Sequence, residues 1–242
     1  MILRSVTKHV KEQNWFAVLV DFLIVVVGIL IAFQITNWSV ARQNDIQAQR
    51  FLERLEQDFN QTLLITKRSL ANHKQSLQAS SRLIKGLKVG LFEQELLIHD
   101  IRYSTDFSTP PGPSTAFQEL VSSGKTDLIR SETLRNALYE YNGYVSFLRD
   151  SYMTFTAPIV NAQSYLMPAR TLVATGTPSE DFGQLGRTES FDSSMLLDKP
   201  EILDSLQLLY LTHDNIHLVL KEIHDRLEKI LASIRAEKEK AQ

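Results

Sequence analysis

The chain has 242 residues, a formal net charge of -2 and no cysteine. This length allows one membrane anchor and one soluble domain of about 200 residues, and leaves no room for a second large domain. The charge lacks the basic excess that phosphate-backbone binding needs, so we expect no nucleic-acid partner. The absence of cysteine excludes disulfides, a thiolate nucleophile and thiolate metal ligands.

An apolar segment near the N-terminus predicts a membrane helix. Residues 16–35 contain only two polar side chains, Asp21 and Gln34, and a helix of that length spans about 30 Å of hydrocarbon. Trp15 and Trp38 flank it, and indole rings favour both membrane interfaces. The sequence therefore predicts a tail over 1–15 and a transmembrane helix over 16–38. A buried core helix and a cleaved signal peptide are the alternatives.

The distribution of basic residues predicts the orientation. Lysine and arginine are retained on the cytoplasmic side of a membrane helix, and their excess here lies before the segment. We therefore expect a cytoplasmic N-terminus and a periplasmic C-terminal domain, which places the protein in the inner membrane of a Gram-negative cell. The charged residues compared are Arg4, Lys8, Lys11 and Glu12 before the segment and Arg42, Asp45, Arg50 and Glu53 after it.

Five residues of the apolar segment share one helix face by their spacing. Gly28 and Ala32 form a pair of small residues that lets another helix approach closely, and a carboxylate facing lipid is costly. The pattern indicates a contact face for another membrane protein or a second copy. In the alternative interpretation, the acidic side chain reaches the interface and the small residues have no special role. The face comprises Asp21, Val25, Gly28, Ala32 and Ile35.

The remainder, residues 39–242, has the periodicity of an all-α helical bundle. No glycine or proline interrupts the chain from Trp38 to Gly86, which predicts a helix that continues out of the membrane and breaks at Gly86 and Gly90. Loops are expected near 102–114 and 175–194, and no run predicts a strand. Leucines recur every seven residues, but alternate seam positions are polar, which favours an intramolecular bundle over a two-stranded coiled coil. Those positions are Leu63, Leu70, Leu77 and Ile84, alternating with polar Thr66, His73 and Ser80.

Two sequence patterns resemble an uncharacterised bacterial family of N-terminally anchored, single-pass membrane proteins. Residues 21–38, DFLIVVVGILIAFQITNW, resemble its anchor, in which an acidic residue precedes a G-I-L-I-A-x-Q-I-x-x-W pattern. That family usually has glutamate where this chain has Asp21. Residues 117–129, FQELVSSGKTDLI, followed by Leu134 and the LYEY of residues 138–141, are similar to its soluble region. The resemblance implies a topology and no activity.

Three histidines of the last predicted helix share one face, at spacings that allow divalent-metal binding. Without a carboxylate on the same face, we interpret them as packing positions and expect no metal or other cofactor. They are His213, His217 and His224.

Aromatic residues cluster within another predicted helix. Core packing is their default role, and an aromatic-lined ligand cleft is the alternative. The cluster comprises Tyr139, Tyr141, Tyr144, Phe147, Tyr152 and Phe155.

No nucleophile elbow, metal-ligand set or paired catalytic motif occurs in the sequence. We therefore predict a non-enzymatic interaction or accessory protein that acts through the membrane-helix face and the helical periplasmic domain. The alternative is a periplasmic ligand-sensing module that signals through a separate partner chain, because few residues precede the anchor.

Overall fold

The computed structural model describes residues 15–172, 188–197 and 199–240. The prediction of an all-α chain, in which a long apolar N-terminal helix continues into a helical region, is confirmed. The chain divides into two compact units, Met1–Arg50 and Phe51–Gln242. The described helices are α1 (Trp15–Val89), α2 (Gln94–Ser104), α3 (Thr115–Ser122), α4 (Glu132–Asp150), α5 (Tyr152–Leu166), α6 (Ser194–Leu197) and α7 (Pro200–Lys240).

The structure contains two short strands that no run of the sequence predicts. β1 (Arg170–Leu172) and β2 (Thr188–Phe191) pair antiparallel, with Arg170 opposite Phe191. Strands of three and four residues are too short to show an alternating pattern in the sequence. The predicted loop over 175–194 lies mostly outside the described residues, and its described end contains β2 and the start of α6.

The first helix ends just before Gly90, as the sequence predicts, but does not break at Gly86. It passes through Gly86 and ends at Val89, where Gly90 adopts a left-handed conformation with φ of 73°. The amide of Leu91 donates to the carbonyl of Gly86 over 3.1 Å, a bond typical of helix C-termini that end on glycine. At Gly86 a side chain would meet the ring of Phe92 at 2.5 Å. The glycine therefore makes room for packing instead of breaking the helix.

The second unit contains two apolar clusters. The first joins the start of its α1 portion, α3, α4 and the C-terminal half of α7, around Phe59, Leu138 and Leu227. The second joins the end of α1, α2, α5 and the N-terminal half of α7, around Leu83 and Leu206. The start of the second-unit part of α1 therefore meets the C-terminal half of α7, and the end of α1 meets the N-terminal half of α7. In the second unit these two helices run antiparallel.

Polar side chains are buried along α1 between the residues of the two clusters. Hydroxyls here satisfy themselves on their own helix, since Thr66 donates to the carbonyl of Thr62 over 2.8 Å and Ser80 donates to that of Ser76 over 2.8 Å. A buried hydroxyl without such a bond would be costly. The buried polar residues of this segment are Thr66, Ser69, His73, Ser76 and Ser80.

Candidate functional site

The first unit presents its apolar side chains to the surroundings. α1 is the helix in the described part of the chain that is long and apolar enough to cross a membrane. Its predicted contact face is exposed, and a side chain added at Gly28 would meet nothing within 4 Å. Trp38 is 67% exposed and lies 5.9 Å from the guanidinium of Arg42. Trp15 is the first residue of α1. The exposed face residues are Asp21, Val25, Gly28, Ala32 and Ile35.

Two buried histidines meet in the second unit. The Nδ1 atoms of His73 and His213 are 3.0 Å apart, and the Nε2 atom of His213 lies 2.7 Å from the carbonyl oxygen of Ser104. A carbonyl can only accept, so His213 carries its proton on Nε2 when neutral. Its Nδ1 is then an acceptor, and His73 must donate from Nδ1. The Nε2 atom of His73 is consequently a buried acceptor, and it has no partner within the described structure.

Burial keeps both rings neutral. It lowers the pKa of His73 to about 3, and the nearby His213 and His217 rings reinforce that shift. Burial also lowers the pKa of His213, against the opposing influence of its bond to Ser104 and of the Asp106 carboxylate. A neutral histidine pair can relay or accept a proton, but protonation inside this site is strongly disfavoured.

The three histidines predicted from the sequence do not converge on one point. His213 bonds His73, whereas the Nδ1 atom of His217 is buried and unpartnered within the described structure. His224 instead lies 3.2 Å from Asp225 and 3.5 Å from Glu228. In residues 15–172, 188–197 and 199–240, no group of three or more histidine, aspartate or glutamate side chains could hold a metal ion.

Sequence reasoning did not select His73 as a site residue. In the sequence, His73 is one of the polar residues that alternate with the leucines of the seven-residue repeat. A histidine at such a position suits a solvated helix edge as well as a buried pair. The partner residue lies 140 positions away in the chain, and the antiparallel packing of α1 and α7 brings it close. That pairing depends on tertiary structure and leaves no local pattern.

The predicted aromatic cluster separates into different environments. Tyr141 is buried, with its ring centroid 5.2 Å from that of Phe59, and burial raises the pKa of its hydroxyl. Tyr139 is 48% exposed and packs edge-on against Phe117 at 4.9 Å. These two side chains serve packing on different sides of α4.

The remaining four aromatic residues are also distributed. The hydroxyl of Tyr144 lies 3.2 Å from a carboxylate oxygen of Glu222, and Phe147 is 59% exposed. Tyr152 and Phe155 line a common pocket. The structure therefore divides the predicted cleft and retains two of its six members in one cavity, because Ser151 ends α4 and α5 begins at Tyr152.

Comparison with known proteins gives one family match. The model of a family of unknown function, DUF6090, matches residues 21–153, which is more than half of the chain. The match begins at Asp21 and includes the apolar segment, the first cluster's α3 and α4, and the start of α5. No curated protein and no solved structure matches the chain. The chain therefore belongs to the DUF6090 family of unknown function.

Proposed function

We propose that this protein is a non-enzymatic accessory protein, anchored by residues 16–38 in a bilayer and bound there to a second membrane helix. The observation that supports the proposal is the exposure of the large apolar side chains along the segment, including Phe16 at 73% and Phe33 at 61%. A surface of this size and composition needs lipid or protein around it.

The contact face gives the proposed partner helix a place to bind. Gly28 and Ala32 leave the backbone accessible, and close helix packing in membranes relies on such small residues. Asp21 would gain a polar partner from a neighbouring helix and so avoid a carboxylate facing lipid. The partner is a helix of another membrane protein or of a second copy of this chain.

Acidic side chains of the second unit support a structural role for that unit. Asp58 accepts a hydrogen bond of 2.7 Å from the Ser114 hydroxyl at the start of α3. Asp100 is buried and paired with Arg82. Glu237 accepts from the backbone amide of Arg130 over 2.7 Å. These carboxylates hold helix ends and neighbouring elements together, and such a domain is suited to binding a partner.

The basic residues before the segment support an orientation with the N-terminus in the cytoplasm. In this proposal the second unit lies in the periplasm of a Gram-negative cell, and the anchor lies in the inner membrane.

Copurification tests the proposal. Full-length protein is extracted from its native membrane in mild detergent, and associated chains are identified and quantified. Gly28→Leu fills the contact face, whereas Leu30→Phe adds bulk about 200° around the helix and serves as the matched control. We expect a stoichiometric partner or dimer whose yield falls roughly tenfold in Gly28→Leu and persists in Leu30→Phe. A wild-type protein that purifies alone, or equal yields from both variants, would contradict the proposed face.

A further inference from the structure

An open pocket of about 240 Å³ lies within the second unit, between α4, α5, α7 and the loop that precedes α3. Its walls are largely apolar and include Leu148, Tyr152, Phe155, Ile216 and Val219. Among side chains that line it, tyrosine is the only titratable type.

The electrostatic character of the pocket follows from this lining. Burial raises the pKa of Tyr152, so its hydroxyl stays neutral over the physiological range. No carboxylate, ammonium, guanidinium or imidazole group belongs to the wall. A charged ligand would lose its hydration without gaining an ionic partner, which is unfavourable. An uncharged ligand avoids that loss.

The buried hydroxyls of the wall offer a ligand little to bind. Those of Thr156 and Thr212 donate to the carbonyls of Tyr152 over 3.0 Å and Leu208 over 2.8 Å. The Oγ atom of Ser108 is itself buried, so a ligand in the open part of the pocket does not reach it. The pocket therefore favours apolar contacts.

We propose that this pocket binds an uncharged small molecule with an apolar ring or short alkyl body. Scaling from the ~150 Å³ cavity that holds benzene, a volume of about 240 Å³ accommodates roughly 10 non-hydrogen atoms. Binding would be consistent with the ligand-sensing alternative indicated by the sequence, and it does not depend on a partner for the anchor.

Fluorine NMR on full-length protein in lipid nanodiscs tests the pocket, with para-(trifluoromethyl)phenol as the probe. Val219→Trp fills the pocket from α7, and Leu218→Trp places the same ring at an adjacent position that is 57% exposed and not part of the wall. We expect saturable binding to wild type and Leu218→Trp, and at least a tenfold loss in Val219→Trp. Equal signals from both variants would show lipid partitioning or another site, and would overturn the proposal.

The chemistry of the ligand is tested with two related probes. The trifluoromethylbenzoate anion should not bind, whereas para-methylbenzotrifluoride, which is also uncharged, should bind wild type and lose at least tenfold in affinity in Val219→Trp. Benzoate binding as tight as that of the phenol would overturn the uncharged-ligand assignment.

Discussion

The imidazole rings of His73 and His213 are buried, whereas an imidazole in water is partly protonated at mildly acidic pH. Each ring has a defined tautomer, because the Ser104 carbonyl fixes the proton of His213 and His213 fixes that of His73. Two other titratable residues act on the pair: His217 acts on His73, and Asp106 acts on His213. Neutrality of the pair is thus part of the folded state.

This burial predicts acid sensitivity of the soluble unit. The pKa of His73 is about 3 in the folded state and about 6.5 in the unfolded state, so the unfolded chain binds the extra proton between those values. Stability is therefore full above the unfolded pKa and is lost as pH falls below it. From about pH 7.5 to about pH 5.5, we expect the burial of His73 to lower the free energy of unfolding by about 1.4 kcal/mol, and that of His213 to act in the same direction.

Urea unfolding of residues 51–242 at the two pH values measures this loss. His73→Leu should remove about 1.4 kcal/mol of the pH-dependent loss, whatever its effect on stability at neutral pH. The matched control is His99→Gln, since the side chain of His99 is 42% exposed. A loss of stability on acidification that is the same in wild type and His73→Leu would refute the assignment.

Among helices, the packed side of α1 in the second unit shows which features of burial the sequence periodicity predicts and which it does not. The seven-residue recurrence of leucine correctly indicates a helix with a packed side. The deepest burial, however, lies at Thr66, His73 and Ser80, whereas Leu63 and Leu70 are only partly buried. Hydroxyls bonded to their own helix can occupy a core without a partner from elsewhere, and hydrophobicity patterns do not register that ability.

The end of α7 gives an element-scale prediction. Glu237 is buried and accepts from the amides of Arg130 and Ser131, at 2.7 Å and 3.2 Å, where α4 begins. Replacement of this side chain leaves those amides unpaired, so we expect Glu237→Ala to lower the free energy of unfolding by about 2 kcal/mol. Glu239→Ala, at an exposed position of the same helix, should change it by less than about 0.5 kcal/mol.

Thermal or urea unfolding of the two variants under identical conditions checks the difference. Similar stability of Glu237→Ala and Glu239→Ala would mean that water replaces the carboxylate at the start of α4 without cost.

For the whole molecule, long-range pairing limits what could be predicted. The helical class and the apolar segment follow from composition and spacing, which are local properties of the chain. The histidine pair, the pocket and the ribbon of β1 and β2 depend on contacts between distant segments. The aromatic residues show the same limit, since helical spacing grouped Tyr141 with Tyr152 although the chain turns at Ser151 and separates them.

Cysteine labelling tests whether residues 16–38 insert into the membrane and whether the second unit lies outside the cytoplasm. The chain has no cysteine, so Ser5→Cys, Ile31→Cys and Ser122→Cys each create a single site in the full-length protein. Spheroplasts of a Gram-negative host that express each variant are treated with a membrane-impermeant maleimide. We expect labelling of Ser122→Cys in intact spheroplasts, of Ser5→Cys only after lysis, and of Ile31→Cys only after denaturation. Labelling of Ile31→Cys in intact spheroplasts, or of Ser5→Cys instead of Ser122→Cys, would contradict this topology.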